Sequence, residues 1–84
     1  MFINKAPDGT RNLCGKRIAY YRSLMDISQR ELADRLQLSG LDINKNAIQR
    51  MEAGKRFVTD IELDYLSQEF NVSVAELLDS KKEP

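Results

Sequence analysis

Residues 27–56 read ISQRELADRLQLSGLDINKNAIQRMEAGKR, and the punctuation of this stretch already implies two helices. Ser28-Gln29-Arg30-Glu31 has the form of a capping box, in which a serine hydroxyl accepts from the third helical amide while the glutamate reaches back to the serine amide. A helix therefore starts at Ser28. Leu32, Ala33 and Leu36 supply its inward stripe, and Ser39-Gly40 breaks the pattern, so the helix is expected to end near Leu38 to Leu41. Asn44 is a good N-cap for a second helix, over about 44–53, with Ala47, Ile48 and Met51 inward. Ala53-Gly54 puts glycine where a left-handed C-cap costs least.

The same signals extend in both directions. Upstream, from Leu13 onward, Ile18, Tyr21, Leu24 and Met25 recur at spacings of three and four with Lys16, Arg17 and Arg22 between them, the pattern of an amphipathic helix. Downstream, Thr59-Asp60-Ile61-Glu62 is a second capping-box pattern, opening a helix with Leu63, Leu66 and Phe70 inward. Ser73-Val74-Ala75-Glu76 is a third, opening Leu77-Leu78. Five helices and no strand signal predict an all-α domain over residues 13–79. Residues 1–12 contain the turn tripeptide Pro7-Asp8-Gly9 without sustained periodicity and are expected to form an N-terminal tail or arm, with Phe2 and Ile3 available for packing. Residues 80–84 are expected to be a C-terminal tail.

A chain of 84 residues suits one domain, and 42% hydrophobic with 31% charged residues is globular composition. The formal net charge of zero conceals a division: residues 1–56 carry 11 Lys/Arg against 6 Asp/Glu, whereas residues 57–84 carry 2 against 7. A basic first part suits phosphate contact, and an acidic second part keeps the remaining surface off nucleic acid. No run approaches the ~20 apolar residues of a membrane helix, and the opening Met1-Phe2-Ile3-Asn4-Lys5 has no signal-peptide stretch, so a cytoplasmic location is expected. Cys14 is the only cysteine and histidine is absent, which excludes an internal disulfide and a mixed Cys/His metal cluster. Cys14 is expected to pack as a small apolar residue rather than to serve as a redox sensor. With no histidine, no phosphate-binding glycine loop and no carboxylate cluster beside a nucleophile, neither catalysis nor a cofactor is expected.

The segment from Gly15 to Leu78 resembles the phage-repressor or Cro-type helix-turn-helix family, also called the xenobiotic-response-element family. Four landmarks carry the resemblance in order: Ile18 and Arg22; Ile27-Ser28-Gln29-Arg30-Glu31-Leu32-Ala33; Ile48-Gln49-Arg50-Met51-Glu52-Ala53-Gly54-Lys55-Arg56; and Asn71-Val72-Ser73-Val74-Ala75-Glu76-Leu77-Leu78. The resemblance implies a five-helix, lambda-repressor-like DNA-binding domain whose third helix enters the major groove, where each base pair shows a distinct pattern of donors and acceptors. One departure is visible, a span from Leu36 to Glu52 longer than the family's, which implies an extended turn between helices two and three around Gly40-Leu41-Asp42.

Carried over position by position, the resemblance assigns Lys45, Asn46 and Arg50 to base reading, and Gln29, Asn44, Gln49, Lys55 and Arg56 to phosphate contact. Gln29 falls at the start of a helix, where exposed amides and the positive end of the dipole favour an anion. Lys55 and Arg56 would also complement the negative end of the preceding helix. Arg22 and Glu52 occupy positions of a partly buried ion pair, the alternative being two unpaired surface charges. Val72, Val74, Leu77 and Leu78 form an apolar surface for a second copy about a two-fold axis. Tyr20, Tyr21, Tyr65 and Phe70 are expected in the core or on that dimer surface, since the strand context of base-stacking proteins is missing.

The function so implied is a sequence-specific regulator of transcription, a repressor acting as a homodimer on a double-stranded operator. The alternative is a protein-interaction module, or an antitoxin-like partner, on the same fold. The outward side of the third helix discriminates: no acidic residue occurs between Asn44 and Met51, as contact with DNA requires.

Overall fold

In the computed structural model, which describes residues 5–79, five α-helices follow in order: α1 (Gly15–Leu24), α2 (Gln29–Ser39), α3 (Lys45–Glu52), α4 (Asp60–Phe70) and α5 (Val74–Leu78). No strand occurs among the described residues, and the fold is all-α. The expectations for Phe2, Ile3 and residues 80–84 lie outside the described residues.

Local hydrogen bonds explain where four of the helices begin. Ser28, Asn44, Thr59 and Ser73 each accept, through the side chain, from the amide three residues on. Only Thr59 closes a reciprocal box, its own amide donating to Glu62 Oε1 at 2.9 Å. Glu31 turns instead to Arg35 at 3.4 Å, and Glu76 accepts from Arg17 and Tyr21 on α1. In these two the carboxylate goes to a charged partner, a stronger bond than the return arm, whereas Glu62 meets both Arg56 and its own N-cap amide.

The first helix differs from expectation in three respects. It starts at Gly15 rather than Leu13, and because Cys14 offers no side-chain cap, Asn12 Oδ1 accepts from the Gly15 amide at 2.8 Å. Leu24, expected inward, is 65% exposed, because the chain leaves the helix at Met25-Asp26 and Ile27 enters the core instead. Arg17, expected among the solvated residues, is buried.

The connection from α2 to α3 is not a loose loop. Gly40 caps α2 at φ 113°, a left-handed conformation that favours glycine, and Leu41 and Ile43 are buried. Gln37 Nε2 donates to the Ile43 carbonyl and ties the connection back to α2.

Ile18, Leu32, Leu36, Ile48, Met51, Leu66 and Leu77 are fully buried in one cluster that draws on every helix. Each such side chain contributes roughly 1.5–3 kcal/mol relative to exposure. Leu77 is thereby removed from the expected association surface: in the short α5 it is the side chain turned into its own protomer. Cys14 packs at the edge of the same cluster, where burial pushes its thiol up to about 11 and keeps it un-ionised at neutral pH. Phe70 is buried with its ring 5.7 Å from that of Tyr21, and Tyr20 meets Tyr21 edge-on at 5.2 Å.

Residues 5–12 are non-helical but are not a free tail. A tight turn closes through Gly9 N–H to the Ala6 carbonyl at 2.8 Å and Ala6 N–H to the Thr10 carbonyl at 2.7 Å. The Arg11 amide then donates to the Gly54 carbonyl at 2.9 Å, docking the segment on the C-terminal end of α3.

Candidate nucleic-acid interface

Helix α3 separates its residues sharply by side. Ile48 and Met51 are fully buried, whereas Lys45, Asn46, Gln49 and Arg50 are exposed on the opposite side, as i and i+4 neighbours. Among the described residues no hydrogen bond or ion pair ties down these four side chains or that of Lys55. Asn44 is exposed and caps the helix, its Oδ1 accepting from the Ala47 amide at 2.9 Å, which leaves its amide hydrogens outward.

A polar network fixes the other end of α3. Arg22 Nε donates to Glu52 Oε2 at 2.7 Å and Arg22 Nη2 to Glu52 Oε1 at 3.0 Å, while Arg22 Nη1 reaches the Ile27 carbonyl at 2.8 Å. The Glu52 side chain is 8% exposed, and its hydrogen bonds hold the Arg22 guanidinium above its already high ordinary pKa. Gln29 Nε2 donates to the same Glu52 Oε1 at 3.0 Å. The side chain expected to reach outward for phosphate from the start of α2 therefore has one amide hydrogen turned to the network and one left over.

Arg56 is also turned inward. Its Nη1 and Nη2 meet Glu62 Oε1 and Oε2 at 2.9 Å each, a fork-to-fork pair, and Nη1 also donates to the Phe57 carbonyl at 3.1 Å. Burial raises the pKa of Glu62, but Arg56 and the Thr59 amide outweigh it and hold the carboxyl below its usual 4.5. Lys55, by contrast, is exposed in the loop that leaves α3.

Between α2 and the start of α3 lies a crevice of about 310 Å³ lined by Arg30, Ala33, Asp34, Gln37, Asn44, Lys45 and Asn46. It adds to the α3 face two residues that sequence reasoning did not single out, Arg30 and Gln37. Their spacing of seven places both on one side of α2, but only the packing of α2 against α3 shows which side borders the face. Among the described residues no group of His, Cys, Asp or Glu side chains is arranged to hold a metal ion, and no helix is long and apolar enough to cross a membrane.

The surface is thus an exposed helix face bearing cationic and amide side chains, with Arg30 in the crevice beside it and Lys55 in the loop that follows it. Compared with known proteins, the chain matches no family model, no curated protein and no solved structure.

Proposed function

We propose that this chain is a sequence-specific double-stranded DNA-binding regulator, a repressor on a lambda-repressor-like helix-turn-helix fold, which presents α3 to the major groove and acts as a homodimer. The observation that carries this reading is the outer side of α3, where Lys45, Asn46, Gln49 and Arg50 are all exposed and untethered while the same helix is anchored by its buried side. Side chains of these types match base edges: arginine or lysine pairs with guanine, and asparagine or glutamine with adenine.

In this reading Lys45, Asn46 and Arg50 read bases, and Asn44, Gln49 and Lys55 contact phosphate, with the second amide hydrogen of Gln29 available at the start of α2. Arg56 is reassigned from phosphate contact to holding the loop after α3 against α4, because its guanidinium already faces Glu62. The dimer contact falls to Leu78, 39% exposed, with the half-buried Val72 and Val74. Repression follows from occupying the operator, with binding rather than catalysis as the activity.

Selection of bound sequences from a random duplex library, repeated at several salt concentrations, tests the proposal. Recovery of an inverted-repeat site with affinity falling steeply as salt rises is the expected result. Failure to enrich any sequence, with weak binding even at low salt, would overturn it in favour of a protein-interaction module.

A further inference from the structure

We propose that Asn12 is a positioning residue for α3, a clamp that joins the C-terminal end of α3 and the loop after it to the start of α1. The proposal rests on the DNA-binding reading above for its consequence, though the clamp itself can be tested without DNA.

A helix leaves its last carbonyls without helical partners, and a helix of two turns cannot hold its own end in place. In α3, whose eight residues span Lys45–Glu52, one of these is the Met51 carbonyl, which accepts from the Gly54 amide at 3.1 Å in the turn that follows and has a second lone pair to offer. Asn12 Nδ2 donates to it at 3.0 Å and, with its second hydrogen, to the Arg56 carbonyl at 2.8 Å. Asn12 Oδ1 accepts from the Gly15 amide at 2.8 Å. One carboxamide thus uses both donors and its acceptor on three separate backbone groups, two of them 39 and 44 residues away in sequence. Aspartate has no hydrogen to donate, and serine has one donor where two are needed.

The surroundings are built for close approach. A Cβ on Gly15 would collide with the Met51 carbonyl oxygen, so only glycine lets α1 begin against the end of α3. Gly54, at φ 73°, lies beneath the Thr10 methyl group, which is 2.7 Å from where a Cβ would stand. The Arg11 amide holds the Gly54 carbonyl, and the Arg11 guanidinium lies over the Phe57 ring at 5.9 Å. Residues 10–12 therefore grip residues 51–57 by hydrogen bonds and packing together. Arg50 stands one residue before the clamped carbonyl, and Lys55 one residue before the other, so the clamp determines where both cations meet DNA.

The test uses the full chain carrying Asn12→Ala or Asn12→Asp. The aspartate variant keeps an acceptor for the Gly15 amide but has no donor for the Met51 and Arg56 carbonyls, which separates the two roles. Residue-resolved amide hydrogen exchange is measured where circular dichroism shows unchanged helix content, together with affinity for the selected operator. Both variants are expected to speed exchange at Ala53, Gly54 and Lys55 by about tenfold relative to Leu32 and Leu66, and to weaken operator binding by about tenfold with no change in salt slope, as loss of two half-buried bonds implies. Only the alanine variant should also speed exchange at Gly15.

Wild-type exchange at residues 53–55, a uniform rise across all helices, or unchanged affinity in both variants would overturn the proposal. Should the Asn12 variants not fold, Thr10→Ser, which removes only the methyl group over Gly54, replaces them. It is expected to speed exchange at the same three amides by about threefold, and wild-type rates there would overturn the clamp. A wild-type protein that selects no duplex sequence would defeat the DNA-binding reading, while the exchange pattern would still decide whether the clamp exists.

Discussion

Glu52 serves three donors with one carboxylate, two from Arg22 and one from Gln29, at the point where α1, α2 and α3 meet. Removing Arg22 leaves that carboxylate nearly buried beside a neutral amide, and loss of one partner of such a pair costs about 3 kcal/mol or more. Arg22→Ala is therefore expected to lower the melting temperature by at least about 10 °C in a thermal circular-dichroism scan. An unchanged midpoint would mean that the pair adds nothing to the fold. Glu62 supplies a second residue-level prediction. Its carboxyl in the folded chain titrates below the usual 4.5, so the stability it contributes is complete above that pH and is lost as pH falls through the lower, native value. Urea unfolding of Glu62→Gln should show lower stability than wild type at neutral pH and a shallower decline below about pH 4.5, the two curves converging in acid.

At the level of elements, α3 combines a well-fixed buried side with a free outer one. Ser28 and Asn44 set the starts of α2 and α3 through hydroxyl or carboxamide caps, and Gly40 stops α2, so the angle between the two helices follows from short-range bonds and the buried Leu41 and Ile43. The outer residues of α3 can then change without disturbing stability, since exposed substitutions usually stay within about 0.5 kcal/mol. Arg50→Ala is expected to leave the melting temperature in place while reducing discrimination at one base pair of the selected operator by about 1–3 kcal/mol. Lys55→Ala should weaken binding evenly across sequences and reduce the salt slope by about one. A base-specific effect from Lys55, or an even one from Arg50, would interchange their assigned roles.

For the whole molecule, charge and apolar exposure point in different directions. Lys45 and Arg50 on α3, Arg30 beside it and Lys55 after it are exposed cations, whereas Asp60, Asp64 and Asp79 are exposed on and beyond α4 and α5, and in the proposed reading this division would turn α3 rather than the second part toward a polyanion. The apolar strip near α5 is narrower than a reading of four apolar residues suggests, because Leu77 is internal. Leu78→Asp is accordingly expected to convert a dimer into a monomer in sedimentation analysis at micromolar concentration and to weaken operator binding through lost bivalency. Equal sedimentation of variant and wild type would place any dimer contact elsewhere.

The chain's own sequence determined the number of helices, four of their five starts and the two glycine ends, Gly40 and Gly54. These are decided by hydrogen bonds and backbone preferences acting within about four residues, so Ser28, Asn44, Thr59 and Ser73 announce them locally. It also distinguished the buried from the polar side of α3, since Ile48 and Met51 recur at helical spacing. The inward stripes of Leu32, Ala33 and Leu36 on α2 and of Leu66 and Phe70 on α4 were legible for the same reason, and tertiary structure alone decided the exceptions: Leu24 lies out and Arg17 in, and Leu77 is core where Leu78 is surface. A helix end exposes residues that periodicity counts as inward, and a cation can be buried when a carboxylate from another helix meets it beside tyrosine rings of its own, as Glu76 meets Arg17 beside Tyr20 and Tyr21. The grip of Asn12 on Met51 and Arg56 was illegible for the same reason. It joins backbone groups about forty residues apart, and neither a lone asparagine nor a bare carbonyl carries any signal of its distant partner until the helices between them have packed.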